Sequence, residues 1–596
     1  MKLEISFLVL FITSALSNPI FVRQEHKRNL DLQTNIFEHF LPLPKTNTPV
    51  SRYYDLVVSR TELAPDGCLT EAFTVNNQYP APIIHVNKGD RIIAKVTNHL
   101  GPNEPTAMHW HGMFQRGTNW YDGVPGMVIE NSTQCPIPND VSFVYDFSTG
   151  KQSGTFWYHA HIRGQYAEGI RGPLIIHDPD DPYRDNYDYE YAVTLSDWYH
   201  DRIAELIEKR MAPSYGGFNP IADSGLISGV GRYDCSAAPA GSKCQKDNPL
   251  AVYKFKSGKR YRLRLINTSA MAHFIFSIDS HPLMIIEADG SYTIPYTVNR
   301  LPIAIGQRYS VIVKADQKID NYWIRASIDS RCILNTTETL NSNSAINYNV
   351  TGILRYIGAE KIEPTTTAFT EELPVCLGVP QNNLKLLKPE PVPGPVTDHI
   401  LFNVTFGTDQ FNISRAFINN SSFVGDINDP TIKKLATHEI NSVAEIPLKA
   451  NAYPLENPDG VVDITILNSN GGIHPFHLHG HIFYVLGTGP GLVVDESLLN
   501  LVDPFPRDVF SVNATSWARF RFKTNNPGVW SFHCHIEFHV EMGMIAQLVE
   551  LPNELSKVQL PEPVLDLCEK YSSSNKPDSK KRSNNRLKVD MKVLKV

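Results

Sequence analysis

The sequence predicts an all-β protein made of three sandwich-type domains, and three observations carry that prediction. Short alternating or continuous apolar runs recur along the chain, each bounded by turn residues, which is the pattern of strands in β-sandwiches. The 596 residues include 25 Tyr, 28 Phe and 42 Pro, a composition that suits strands and turns more than helical bundles. A segment beginning at Gly154 recurs at Gly528, so one structural unit is present twice. At ~150 residues per domain the length allows about four domains at most, and three if they are β-rich.

The elements follow in chain order. Lys2, the apolar run Ile5 to Ile12 and the small segment Ala15-Leu16-Ser17 read as a secretory signal peptide over 1–17. Residues 18–45 are expected to form a pro-segment and N-terminal arm, with Lys27-Arg28 as a dibasic cleavage site. The first domain, 46–180, has strands at 91–96, 141–147, 155–161 and 174–177. Asp and Pro cluster at 178–187 and mark its end. The second domain, 181–390, has strands at 191–195, 260–266, 274–278, 309–313 and 322–328, and one helix at 201–211. The segment PEPVPGP at 389–395 closes it, because proline fixes φ and cannot donate to a sheet. The third domain, 391–555, has strands at 461–467, 481–486, 518–522 and 545–551. Residues 556–596 are a tail, basic beyond Lys580-Lys581-Arg582.

Charge and cysteine usage narrow the class. The 55 Lys and Arg against 62 Asp and Glu leave a net charge of −7, which argues against nucleic-acid or anionic-membrane partners. Beyond the signal peptide no apolar run approaches the ~18–20 residues of a membrane span, so no transmembrane segment is expected and the mature chain is expected to be extracellular. Asn-x-Ser/Thr sequons at Asn131, Asn267, Asn335, Asn349, Asn403, Asn412, Asn419, Asn420 and Asn513 agree with secretion. Eight cysteines in a secreted chain should mostly pair. One of them, Cys534, is reserved for a metal below, so at least one other is odd.

The histidines carry the chemistry. Scattered at random, 21 histidines would give about 0.7 His-x-His pairs. The chain has them at 109/111, 159/161, 477/479, 479/481 and 533/535, so a common cause is needed. In a strand, residues i and i+2 face one side, and each pair offers two imidazoles to one site. The repeat aligns Gly154-Thr-Phe-Trp-Tyr-His-Ala-His161 with Gly528-Val-Trp-Ser-Phe-His-Cys-His535, and His109-Trp-His111-Gly112 with His477-Leu-His479-Gly480. The first and third domains are therefore copies of one unit, and the second, which lacks His-x-His, is a related spacer.

Cys534 selects the metal. It lies between His533 and His535, so its thiol faces away from both imidazoles. His474, His539 and Met544 complete a set of two imidazoles, one thiolate and one weak thioether, which is a blue-copper donor set. Met542 is the rival for the thioether position. In the repeat Ala160 replaces the cysteine, so the first domain should lack this copper. The eight paired histidines could hold three more coppers between the first and third domains, and four one-electron centres suit reduction of dioxygen to two waters.

The motifs HWHG (109–112), WYHAH (157–161), HPFHLHGH (474–481) and HCHIEFHVEMGM (533–544) closely resemble those of the three-domain multicopper oxidases. That family includes laccases, ascorbate oxidases and iron oxidases. The resemblance runs from about residue 50 onward and implies three cupredoxin-like Greek-key β-sandwiches and four coppers. It implies His474, Cys534, His539 and axial Met544 for type 1, and His109 and His477 for type 2. It implies His111, His159, His161, His479, His533 and His535 for the type 3 pair, with His481 not a ligand. Asp122 and Glu537 match acids that supply protons to the oxygen site. A Cys135–Cys568 disulfide is implied as well. Cys332 with Cys376, and Cys68 with Cys235 or Cys244, are the remaining expected pairs.

The reducing substrate is read from departures. Asp197, in SDWYHD, matches an iron-site acid, but a second such acid is replaced by Asn470. The domain-two acid that takes a phenol's proton in many fungal laccases matches Met271, and Asp197 is the candidate substitute. GRYDCSAAP (231–239) and IIEADGSY (285–292) resemble ascorbate oxidases, yet their ascorbate-site tryptophan falls at Ala416. The expected function is a secreted laccase-like oxidase of phenols, diphenol-type above all. Ascorbate is the alternative donor and iron(II) the third. A copper protein without turnover would not need a thiolate site bonded to a histidine cluster.

Overall fold

Strand-forming alternation sets the architecture of this chain. In the computed structural model, which describes residues 48–125, 133–212, 219–333, 347–424 and 427–574, six sheets form three successive pairs. The signal peptide, the dibasic sites, the basic tail and the sequons Asn131 and Asn335 lie outside these residues. Strand Arg91–His99 buries Ile92, Ala94 and Val96 and turns Arg91, Lys95 and His99 outward, as a half-buried strand must. Gly154–Ala160 and Gly528–Cys534 are instead buried at every position. Each has its own sandwich core on one face and a neighbouring domain on the other.

The first pair has strand orders Thr70–Val75, Ser51–Leu63, Arg91–His99, Ser142–Ser148 and Ile84–Asn87, Arg171–His177, Gly154–Ala160, Met108–His111. In the third pair, Gly528–Cys534 lies between Ile545–Glu550 and His474–Leu478. The duplication extends to strand register. His109 pairs with His159 in the first domain, and His477 pairs with His533 in the third.

Two helices bear on function. Ile203–Met211 falls where a helix is expected. Glu562–Ser574 lies in residues expected to be tail, and buries Val564, Leu567, Cys568 and Tyr571 against the core of the first domain. Their i, i+3, i+4, i+7 spacing is a helical stripe. Cys568 is bonded to Cys135 across a sequence separation of 433. In the chain-entropy model so long a loop contributes roughly 6 kcal/mol. Replacing both cysteines by serine should lower the thermal midpoint by about 5–10 °C in calorimetry, and an unchanged midpoint would refute the clamp.

Cys332 is bonded to Cys376, but the expectation for Cys68 is corrected. Cys235 and Cys244, nine apart, are bonded to each other, and Cys68 is a buried free thiol. The short loop brings its own ends together before a distant partner can compete. The Asn267 sequon is also spent on structure. Asn267 is fully buried, and its Nδ2 donates to the carbonyls of Ala272 and Ile303 at 2.9 Å each.

A charged clamp joins the first two domains. His200 Nε2 lies 2.8 Å from Asp66 Oδ2, and its Nδ1 lies 3.8 Å from Asp223 Oδ1. Burial disfavours the imidazolium, but the hydrogen bond and charge of Asp66, with Asp223 and Asp201, raise the His200 pKa. A raised folded pKa stabilises below the unfolded value, ~6.5, and that stabilisation is lost as pH rises through the folded value. The thermal midpoint of wild type should therefore fall more than that of His200→Gln between about pH 6 and 8, and parallel curves would count against the clamp.

Candidate metal centres

The first centre is built by three elements. His474 opens strand His474–Leu478, Cys534 ends strand Gly528–Cys534, and His539 sits on helix Glu537–Glu541. Pairing Phe476 with Cys534 brings the two strands into place. Cys534 Sγ lies 3.5 Å from Nδ1 of His474 and 3.5 Å from Nδ1 of His539, and those nitrogens are 3.1 Å apart. Such separations suit donors around one ion with bonds of roughly 2.0–2.3 Å. All three residues are buried. Burial pushes the Cys534 thiol well above its usual range, so a bound cation is what would hold it as thiolate. His474 Nε2 donates to Asn470 Oδ1 at 2.8 Å. The Asn470 departure thus becomes an orienting contact. Met544 and Met542 both lie in the apolar core that includes Cys534, and Met544 O accepts from Cys534 N at 3.2 Å.

The second centre lies across the strand. His533 and His535 point away from Cys534 toward histidines of both end domains. His479 Nε2 is 2.9 Å from His533 Nε2, and His535 Nε2 is 3.3 Å from His111 Nδ1. The rings of His109 and His479 stack at 4.0 Å, and those of His111 and His477 at 3.9 Å. One nitrogen each from His161, His479 and His533 lies within 4.8 Å of the others.

Backbone and carboxylate acceptors fix the tautomers. Nδ1 donates to Asp122 O in His109, to Ala160 O in His159, to Asp508 O in His477 and to Cys534 O in His533, at 2.7, 2.9, 2.8 and 2.8 Å. Nε2 of His109, His159 and His477 is then buried without a hydrogen-bond partner, as are Nε2 of His111 and Nδ1 of His161. Burial first, and then neighbouring imidazoles, hold His111, His159, His161, His477, His479 and His535 well below the usual pKa. Neutral imidazoles with unpaired lone pairs facing one space are what a metal cluster requires, and the residues fit copper.

The expected acids have different fates. Asp122 is fully buried, and its Oδ2 accepts from His479 Nδ1 at 2.8 Å. Glu537 lines a small cavity with His159, His161, Tyr166, His533 and His535. Burial holds its carboxyl well above the usual carboxylate range. Asp197 is corrected as a substrate-facing acid. It is fully buried, and its oxygens accept from the N–H groups of Ala270, Met271 and Ala272 at 2.8, 2.7 and 3.0 Å. It caps a turn and has no face for a donor. His481 binds Glu550 Oε2 at 2.7 Å, away from both centres.

Sequence reading missed Asp508 and Arg308. Arg308 joins both oxygens of Asp508 at 2.5 and 2.7 Å, and Asp508 Oδ1 lies 3.7 Å from His111 Nε2. These partners are 200 residues apart, so no local pattern announces them.

Models of the multicopper oxidase family match residues 57–181, 189–359 and 419–554. The chain is 38% identical over 542 residues to Laccase-4 of Trametes villosa, covering 88% of this chain and 94% of that one. It is 37% identical over 540 residues to a laccase of Phlebia radiata, covering 88% and 95%. The crystal structure of a laccase from Botrytis aclada superposes with a TM-score of 0.77 at 33% identity, over 91% of this chain and 94% of that one. Fet3p, described as a multicopper oxidase that functions in iron import, gives 0.78 at 28% identity over 88% and 95%.

Proposed function

The chain belongs to the multicopper oxidase family and is laccase-like, and from that premise we propose how its own residues divide the work. It is an oxidoreductase that uses oxygen and small-molecule donors, with coppers of types 1, 2 and 3 as cofactors. We assign type 1 copper to His474, Cys534 and His539, with the thioether of Met544 as the fourth residue that would hold it, and type 2 to His109 and His477. The type 3 pair goes to His111, His159, His161, His479, His533 and His535. The observation that carries this reading is the strand His533-Cys534-His535, whose successive side chains reach opposite centres. Bound copper would supply one-electron storage at the thiolate and oxygen reduction at the histidine cluster.

The remaining roles belong to the protein. The backbone around Cys534 links the two centres covalently, so the organic donor and oxygen need never meet. Asp122 orients His479 through its carboxylate and His109 through its carbonyl. Glu537 holds a proton beside the cavity that His159, His161, His533 and His535 line, where oxygen reduction consumes protons. Domain bounds of 46–180, 181–390 and 391–555 suit the three pairs of sheets. Secretion is supported by the three disulfides. Among the described residues no helix is long and apolar enough to cross a membrane.

Phenols of diphenol type are the proposed donors, with ascorbate as the alternative. Iron(II) ranks third, because Asn470 bonds His474 and Asp197 is sealed in the core. Metal analysis should find four coppers per chain, and one copper or mainly zinc would end the assignment. Oxygen uptake with a diphenol, ascorbate and iron(II) tests the donor, which fails if the diphenol is poorest by kcat/KM.

Met544 sets a further expectation. A thioether favours oxidised copper, and leucine cannot donate. Met544→Leu should raise the type 1 potential by about one decade of a one-electron equilibrium, ~59 mV, in redox titration of the blue band. A larger rise in Met542→Leu would transfer the thioether role to Met542.

A further inference from the structure

The cysteine left over from pairing is not isolated. Cys68 lies in the hairpin 64–69 between strands Ser51–Leu63 and Thr70–Val75 of the first domain, and is 3% exposed. Cys235 and Cys244 are bonded to each other in the second-domain segment that precedes strand Val252–Phe255. Both are half-buried, so their bond is open to solvent where the Cys68 thiol is not.

Hydrogen bonds stitch the two segments together. Gly231 N and Asn248 Nδ2 donate to Pro65 O at 3.0 Å each, and Tyr233 N donates to Asp66 O at 2.9 Å. Leu69 N donates to Lys243 O and Gln245 N to Gly67 O, both at 2.8 Å. The last two bonds enclose Cys68 and Cys244 as directly opposed residues of an antiparallel bridge. The bonds belong to their neighbours, so this is the non-hydrogen-bonded kind of pair, in which Cα atoms lie about 4.5 Å apart and side chains come closest. A disulfide spans Cα separations of about 4.4–6.8 Å, so that spacing admits one. Gly67 permits the approach. Its φ is +98°, and a Cβ there would meet Gln245 O at 2.6 Å. Cys244 therefore faces two cysteines, one nine residues away in its own loop and one across the domain boundary.

We infer that Cys68, Cys244 and Cys235 form a thiol–disulfide relay whose second state ties the first domain to the second through a Cys68–Cys244 bond. Cys68 Sγ bonds to Cys244 Sγ and the Cys235–Cys244 bond breaks. Cys235 leaves with the electron pair and takes up the proton that Cys68 gave up. One disulfide and one thiol remain, so no oxidant or reductant is consumed. The buried thiol is exchanged for one at the surface. The order of events follows from loop length. In the unfolded chain a separation of nine residues closes more readily than the 176 between Cys68 and Cys244. The docked domains hold Cys68 opposite Cys244 in advance, which removes that disadvantage. Burial, and then the charges of Asp66 and Asp223, push the Cys68 thiol up to about 11. Its thiolate is therefore scarce at neutral pH, and the first state persists until a small thiol opens the exposed bond. The relay lies apart from both copper centres and does not depend on the electron donor.

The test is peptide mapping of the copper-loaded enzyme. Wild type is held in air with a trace of reduced glutathione, alkylated in the native state, then unfolded in excess of a second alkylating agent. The native label should appear at Cys235, the second label at Cys68 should disappear, and the Cys68 and Cys244 peptides should be recovered as one linked species. Copper content and blue absorption should stay as they were. Cys235→Ser removes the competing partner and should form the Cys68–Cys244 bond by air oxidation alone. Gly67→Ala pushes the hairpin away from Gln245, and its yield of linked species should fall about tenfold or more. Cys68→Ala should give no linked species under any of these conditions. A Cys68 that keeps its thiol after glutathione treatment would overturn the relay, as would Cys68 and Cys235 labelled together with glutathione left on Cys244. If Cys235→Ser fails to fold, the wild-type map decides.

Discussion

Replacing Cys534 by serine should give an enzyme without blue absorption and without turnover on any reducing substrate. The hydroxyl is a harder and shorter ligand than the thiolate, so the set of two imidazoles and a soft sulfur is broken. His474 and His539 would keep their places, since they are held by Asn470 and by helix Glu537–Glu541. The histidine cluster should still load, because its imidazoles are anchored by Asp122, Ala160, Asp508 and the carbonyl of residue 534. The expected result is about three coppers in place of four, retained type 3 absorption and a rate at least about 10³-fold below wild type. Steady-state assay with a phenol, ascorbate and iron(II) checks it. A near-normal rate with any one of them would show that electrons reach the cluster without passing through this strand.

Arg308→Met should be the most damaging change outside the ligands. Arg308 is fully buried and belongs to the second domain, yet it holds Asp508 of the third and donates from Nε to Thr155 O of the first at 3.0 Å. Its own N–H reaches Asp289 Oδ1 at 2.8 Å, and Asp289 Oδ2 takes Arg507 Nε at 2.7 Å. Burial already pushes the Asp508 carboxyl above its usual range, against the opposing charge of Arg308. Without that charge a buried carboxylate is uncompensated, at a cost of about 3–5 kcal/mol. His477, bonded to the Asp508 carbonyl, should loosen with it, and type 2 copper should be lost first. Thermal melts and the type 2 paramagnetic signal measure both effects. Arg308→Met with Asp508→Asn should recover much of the stability. A single variant as stable as wild type would show that the pair is dispensable.

These two residues also mark the limit of what the chain reveals in one dimension. Strands such as 91–99 and 516–523 are legible because period-two burial is written locally, and the copper ligands are legible because His-x-His on a strand is local too. Ion pairs are not. Arg308, between Gln307 and Tyr309, and Asp508, between Arg507 and Val509, are each an ordinary charged residue in the sequence, and only the folded chain brings them together. Asp197 misled for the opposite reason. Its motif is local, but the three N–H groups that claim it come from 270–272, more than seventy residues away. The helix Glu562–Ser574 is legible in its apolar spacing, although the segment follows the last expected strand and reads as a tail by position. Asn470 stands where the resemblance leads one to expect an acid, but its bond to His474 depends on a loop whose shape no pattern encodes.

The division of one cluster between two distant copies of a domain also has a consequence for synthesis. His477 is 316 residues downstream of His161. At roughly 5–20 residues per second, the first domain leaves the ribosome about 15–60 s before its partner histidines exist. During that interval His109, His111, His159 and His161 form a half-site with no thiolate and no opposing wall. Copper captured then would sit in an open, wrongly coordinated position. Correct metallation therefore belongs after translation, when helix Glu562–Ser574 has docked and the Cys135–Cys568 bond has closed the chain around the finished cavity.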